Sequence, residues 1–247
     1  CPVPPSNNKT GQDLTRVVEK QLRNWEIERA QQRLVPRPEE KPVLDFVTIS
    51  RAVGLEAFRI ASILHDRLSW PLFDRDILQA MAGKDDYRRR LYANMDGRDQ
   101  GWLEGFVRGL ALGRFDRDDY FRRLTATVLS IARQSRAIFV GRGTSFILPG
   151  GVGLKVRLTA PKDFCVAGLS RQKKLTIDQA TRQVDEIGEE RAKFVRKHFF
   201  GDWGDPTVYD LTINMARFSL PEASELILSA LRARAPAGGR EFTHGDA

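Results

Sequence analysis

Asp45 to Ala61 reads as an apolar strand, a short turn and the start of an amphipathic helix, the layout in which backbone N–H groups cradle phosphate. Such a loop needs glycines for close backbone approach and a lysine or arginine at the start of the helix to meet the outer phosphates. Those places hold Ala52, Ala57 and Phe58; one glycine, Gly54, is kept, and a carboxylate, Glu56, stands where phosphate would approach. A like charge there is unfavourable. Arg59 follows one residue later, and one helical step swings a side chain by about 100°. Either its length restores the contact or it is a solvated helix residue.

Other cations sit where strands end. Arg51 directly follows the first strand, at the carboxyl end that faces the binding crevice in open α/β sheets. Arg142 lies in a Gly141-Arg142-Gly143 turn after the buried-type strand Ala137 to Val140, where small neighbours let a guanidinium and the backbone approach a phosphate. Its alternative is a structural arginine bonded to helix-end carbonyls. Asp74 and Arg75 follow Phe73 and either read a ligand or pair with each other and cap the next helix. Arg171, Lys173 and Lys174 supply later charge or form a solvated face.

These residues are positioned by an alternation of strand and helix from Val43 onward: strand Phe46 to Ser50, helix Phe58 to Leu68, extended Pro71 to Phe73, strands at 137–140 and 153–159, and a further strand candidate, Tyr209 to Asn214. A largely helical insert occupies 77–133, with Leu103, Phe106, Val107 and Leu110 on one face and a start signal at Asp116 to Asp119. Ile177 to Phe200 and Pro221 to Leu231 read as helices, the latter with Pro in its first turn. Ahead of this unit, residues 1–40 comprise a Pro- and Asn-rich tail and an amphipathic helix through Leu14, Val17, Val18, Leu22, Trp25 and Ile27, stopped by Pro36 and Pro38. That helix either packs on the body, pairs with a second subunit to make a homodimer, or docks a protein partner. Residues 235–247 are Pro-, Gly- and charge-rich and are expected to be disordered.

Composition narrows the class of ligand. The 247 residues carry a formal charge of +8, which favours an anionic partner. No stretch approaches the roughly 20 apolar residues of a membrane span, so no membrane partner and a cytoplasmic location are expected. Cys1 and Cys165 make neither a disulfide framework nor a metal cluster, and His65, His198 and His244 lack metal-ligand spacing, so no metal site is predicted. A nucleic-acid-binding module would draw on Arg88 to Arg90, Arg122 with Arg123, and Arg232 with Arg234. Acidic neighbours and the lack of interleaved aromatics make solvated helix faces the simpler account.

Taken in order, Thr48-Ile49-Ser50-Arg51 with Gly54, Pro71-Leu72-Phe73-Asp74-Arg75, Val140-Gly141-Arg142-Gly143, Thr159-Ala160-Pro161 and Tyr209-Asp210-Leu211-Thr212-Ile213-Asn214 resemble the cytidylate kinase-like family of P-loop nucleoside-monophosphate kinases. Trp102-Leu103-Glu104 and Tyr120-Phe121 are similar to its middle segment, and Arg191 with Trp203, Asp205 and Pro206 to its lid-to-strand segment. The resemblance implies an α/β three-layer sandwich over 43–234, with a parallel sheet, the acceptor-binding insert and a lid region at 162–205. It implies γ-phosphoryl transfer from ATP, with Mg2+, to a pyrimidine monophosphate. The catalytic candidates are Arg142, which matches the arginine of the family's monophosphate site, and Arg59, which stands one residue past the family's basic place and would have to replace it. The donor side is then Ser50, Arg51, Gly54, Arg59 and Arg171, and the acceptor side is Asp74, Arg75, Arg142 and Asp210.

The departures fall on the donor side: Phe58 at the basic place, Cys165 and Gly168 where the lid's arginines belong, and Gly188 in place of an aspartate. The expected function is therefore a nucleotide-binding protein with weak or lost transfer and a binding or regulatory role. ATP and Mg2+ serve as cofactors only if transfer survives. The alternatives are an active kinase using Arg59 and the lid cations, and the basic nucleic-acid-binding module.

Overall fold

The computed structural model describes residues 11–32, 43–93, 95, 100–105, 107 and 119–234. The expectations for residues 1–10, Pro36, Pro38, Phe106, Leu110, Asp116 and 235–247 lie outside the described residues. A five-stranded sheet forms the centre, in the order β2-β3-β1-β4-β5, from β1 (Phe46–Arg51), β2 (Leu72–Phe73), β3 (Ala137–Val140), β4 (Leu154–Thr159) and β5 (Leu211–Asn214). All four pairings are parallel. This is the α/β class that the strand–helix alternation implies, with the parallel sheet that the family resemblance implies.

Burial on both faces explains the continuous buried runs of β1, β2 and β3, whereas β4 alternates. Phe46, Phe73, Ala137 and Phe139 point to one core with Val18, Leu22, Trp25, Leu124 and Val128. Val47, Ile49, Ile138, Val140, Leu154, Val156 and Leu158 point to the other, with Ile60, Leu64, Ile227 and Leu228. The first face is covered by α1 (Gly11–Gln32), α3 (Arg75–Gly83), α4 (Asp85–Tyr92) and α5 (Asp119–Gln134). The second is covered by α2 (Ala57–Leu68) and the C-terminal α9 (Leu220–Ala233). Because β1 lies between β3 and β4, the chain passes from one side of β1 to the other after β3, and a crevice opens at the carboxyl ends of these strands.

The N-terminal helix is packed on the body. Trp25 is fully buried and its indole Nε1 donates to Ile131 O at 3.3 Å, while Gln21 Oε1 accepts from Leu72 N at 2.9 Å on the short edge strand β2. Glu28 pairs with Arg136 at 2.8 Å, and Arg90 reaches both Glu19 and Glu26.

After β3 a short helix, α6 (Thr144–Ile147), leads to β4. A hairpin of α7 (Lys162–Lys173) and α8 (Ile177–Phe199) then stands over the crevice. Thr176 and Gln179 form a capping box that starts α8, and Ser219 and Glu222 do the same for α9. The hairpin has its own small core of Val166, Leu169 and Ala180, flanked by Leu175, Val184 and Ile187. In the insert, Leu103 is buried and Val107 packs against the first core. Among the described residues no helix is long and apolar enough to cross a membrane.

Candidate functional site

Strand ends and the hairpin enclose a cavity of about 280 Å³ lined by Ser50 and Arg51 from β1, Arg75 from α3, the Gly141-Arg142-Gly143 turn, Phe146, and Glu190, Arg191 and Phe194 from α8, with Trp203 beyond. Three consecutive positive φ angles, 80°, 54° and 67°, shape the turn. At Gly141 a Cβ would lie 2.5 Å from Arg51 Nη1, so the missing side chain makes room for that guanidinium. Arg142 donates to Gln79 Oε1 and lies 6.0 Å from the centre of the Tyr120 ring. Ser50 Oγ accepts from Trp203 Nε1 at 2.9 Å and from the Tyr209 hydroxyl at 3.3 Å.

Four guanidiniums and one carboxylate, Glu190, face this volume among the described residues. Burial, then the nearby Arg75, holds Arg51 below its ordinary range, and burial does the same to Arg142. Arg191 donates to Arg51 O at 2.7 Å; burial first, then Arg51 and Arg75, push it down to about 9. Guanidiniums keep their protons under ordinary conditions, so the perturbation expresses mainly the burial of charged heads, and a lining of four guanidiniums to one carboxylate leaves a net positive field. The complement of such a field is an anion with several acceptor oxygens, and arginine forks fit phosphate. The volume lies just under the usual range for small-molecule pockets, and Phe146, Phe194 and Trp203 supply flat apolar walls.

A second cleft of about 440 Å³ lies on the other side of the β1–α2 loop, lined by Gly54, Leu55, Glu56, Phe164, Gly168, Arg171, Gln172, Met215 and Phe218. Phe164 and Phe218 are exposed there, at 40% and 41%.

The sequence pattern of the cytidylate kinase-like family matches residues 46–217, most of the chain. The chain belongs to the cytidylate kinase-like family. No curated protein matches it. Among solved structures it is similar to an uncharacterized protein from Eubacterium ventriosum, with TM-score 0.62 and 16% identity over 77% of this chain and 99% of that one. A shikimate kinase from Bacteroides thetaiotaomicron matches with TM-score 0.45 and 14% identity over 76% and 98% of the two chains. A dephospho-CoA kinase from Campylobacter jejuni matches with TM-score 0.31 and 12% identity over 76% and 96%.

Within this family fold the site residues named from sequence separate into groups. Ser50, Arg51, Arg75 and Arg142 converge on the cavity. Gly54 and Arg171 line the second cleft. Arg59 lines neither: it is exposed and pairs with Glu56 at 3.3 Å. Asp74 caps α3, accepting from Asp76 N at 3.0 Å and Ile77 N at 2.9 Å, and Arg75 also pairs with Asp76 at 3.0 Å. Asp210 clamps two strands, its Oδ2 accepting from Lys155 N at 2.7 Å while its own N donates to Lys155 O at 2.8 Å. Arg191, Glu190, Phe146 and Phe194 join the cavity without having been named as site residues. Arg191 carried a signal, its place in the lid-to-strand segment.

ATP and Mg2+, which the family implies, fit the loop poorly. Phe58, at the basic place, packs against the apolar core of α2 and α9. Glu56 gives α2 no side-chain cap and is held by Arg59. Protein ligands to Mg2+ in such sites are one or two carboxylates beside the substrate's phosphates, and Glu56 is the carboxylate lining the cleft. Among the described residues no group of three or more His, Cys, Asp or Glu side chains converges on a point.

Proposed function

We propose that this cytidylate kinase-like protein binds a nucleotide or another phosphorylated small molecule in the four-arginine cavity, with ATP-to-NMP transfer weak or lost and a binding or regulatory role in its place. The observation that carries this reading is the contrast between the two sides of the loop. Around one volume stand Arg75 and Arg142, expected on the acceptor side, with Arg51, expected on the donor side, and Arg191. On the donor side, Phe58 is turned into a core and Arg59 is engaged with Glu56. Phosphoryl transfer rests on cations placed at the transferring group, and loss of one such cation costs about 10³-fold or more in rate.

If transfer survives, the protein is an ATP-dependent nucleoside-monophosphate kinase requiring Mg2+, with Arg171 at the second cleft as a donor contact. A nucleic-acid role has less support, since Arg88 and Arg89 pair with Asp85 and Asp86, and Arg122 and Arg123 with Asp119. The cytoplasm is the proposed location. A protein partner or second copy recruited through α1 would meet its outer side, where Ile27 is exposed.

The test is ATP turnover with CMP, UMP, dCMP and AMP as acceptors, with thermal shift for each nucleotide. The reading expects stabilisation by at least one monophosphate, lost in Arg142→Ala, and turnover at background. Turnover that vanishes in Arg59→Ala would establish the active kinase instead.

A further inference from the structure

The β1–α2 loop is built into the hairpin that stands over it. Val53 is buried and completes the hairpin's small core with Val166, Leu169 and Ala180. Gly54 has φ +84°, and a Cβ there would overlap the Cys165 carbonyl oxygen and lie 3.1 Å from Leu169 N. Opposite it, a Cβ at Gly168 would lie 2.5 Å from Gly54 O. Gln172 Nε2 donates to Gly54 O at 2.8 Å. Cys165, Gly168 and Gln172 follow the spacing of one helix face, so α7 lays a continuous strip of backbone and amide on the loop.

Glycine on both sides makes this approach possible, and it brings the backbone of α7 against the loop at Gly54. The cavity and the second cleft share no lining residue: the cavity takes Arg51 from the loop's start and the cleft takes Gly54, Leu55 and Glu56 from its middle. A triphosphate reaching from cleft to cavity would therefore run under α7 and require the strip to lift.

The hairpin is also a wall of the cavity. Arg191 on α8 faces Arg51, Arg75 and Arg142 on the body, so an anion among them ties the hairpin to the body. Resting on the cavity reading above, we propose that the Gly54–Gly168 contact is an autoinhibitory closure of the loop. A phosphate-bearing ligand in the cavity tightens it, a nucleoside triphosphate on the loop requires it open, and the two ligands exclude each other. A transferase must hold donor and acceptor together, so the sign of this coupling separates the proposal from ordinary kinase behaviour.

The experiment is calorimetric titration of the full chain with ATP, with and without saturating CMP or inorganic phosphate, in wild type, Gly168→Ala and Gln172→Ala. Alanine is the better helix former, so Gly168→Ala keeps α7 while its Cβ forces the contact apart; urea unfolding verifies that it is folded. Saturating CMP is expected to weaken ATP binding to wild type about tenfold, a typical coupling between sites. Gly168→Ala is expected to bind ATP about tenfold more tightly than wild type and to lose the dependence on CMP. Gln172→Ala moves the same way by a smaller factor. The proposal is overturned if ATP binding is equally tight, or equally absent, in wild type and Gly168→Ala, or if CMP tightens ATP binding in wild type. Should neither CMP nor phosphate bind, the cavity reading falls, and the closure stands or falls on the ATP affinity of Gly168→Ala alone.

Discussion

Replacing Arg191 with methionine separates a ligand-binding guanidinium from a structural one. The downward push to about 9 corresponds to about 5 kcal/mol held against the charged head group. The head is only partly shielded, and screening by water leaves about 2–3 kcal/mol of that as repulsion and desolvation. Methionine removes this strain and keeps the stem's packing. It also removes the 2.7 Å hydrogen bond to Arg51 O, and a half-buried carbonyl left without that donor costs about 1–3 kcal/mol. The two terms nearly cancel, so urea denaturation in phosphate-free buffer should place Arg191→Met within about 1 kcal/mol of wild type.

Binding should respond differently. A charge-assisted hydrogen bond to phosphate contributes about 1.5–3 kcal/mol, so the Kd for the best monophosphate, read by calorimetry, should rise about 10- to 150-fold. A variant destabilised by more than about 3 kcal/mol with an unchanged Kd would refute this reasoning and make Arg191 a brace for the loop.

The remaining predictions concern the loop and the strands. Arg59→Ala removes an exposed pair to Glu56 and should leave both stability and monophosphate binding within error, measured by urea melts and calorimetry. Gly54→Ala places a Cβ into the Cys165 carbonyl at φ +84°; left-handed strain and overpacking together should destabilise the fold by about 2–4 kcal/mol in the same melts. Asp210→Ala should lower stability by about 0.5–1.5 kcal/mol through loss of the clamp to Lys155 N while leaving monophosphate affinity unchanged; weakened binding would return Asp210 to the site. Burial raises the Cys165 thiol, so it stays protonated where free thiols ionise. With Cys1 changed to Ser, iodoacetamide labelling at pH 8 should be slow in wild type and faster in Gly168→Ala, and equal rates would argue against a parted contact.

The architecture was legible because its signals are local. Alternating strand and helix, the Pro signal at the start of α9, and the ordered motifs from Thr48 to Asn214 each follow from short-range chemistry. Arg51 and Arg142 were legible for a similar reason: a cation just past a buried strand has few places to point except into the crevice. Arg191 was visible only as part of a segment, since its burial beside Arg51 and Arg75 depends on how α8 crosses the strand ends. Asp210 reads from sequence as a contact to the acceptor or to a structural arginine, because sequence does not distinguish either from a carboxylate that accepts a neighbouring strand's N–H, as it does from Lys155. Gly168 was legible as a missing arginine but not as the partner of Gly54, because that relation joins residues 54 and 168 through backbone atoms rather than through any motif.

The sealing of β2 by Gln21 bears on where the folding unit begins. The family pattern starts at residue 46, yet Trp25 and Leu22 sit in the same core as Phe73 and Phe139. Trimming to the family boundary would strip that core of its cover and expose Leu72 N on an unprotected sheet border, which invites strand-to-strand polymerisation. Shortened versions that precipitate would thus report a missing lid on the sheet's flank, and nothing about ligand chemistry.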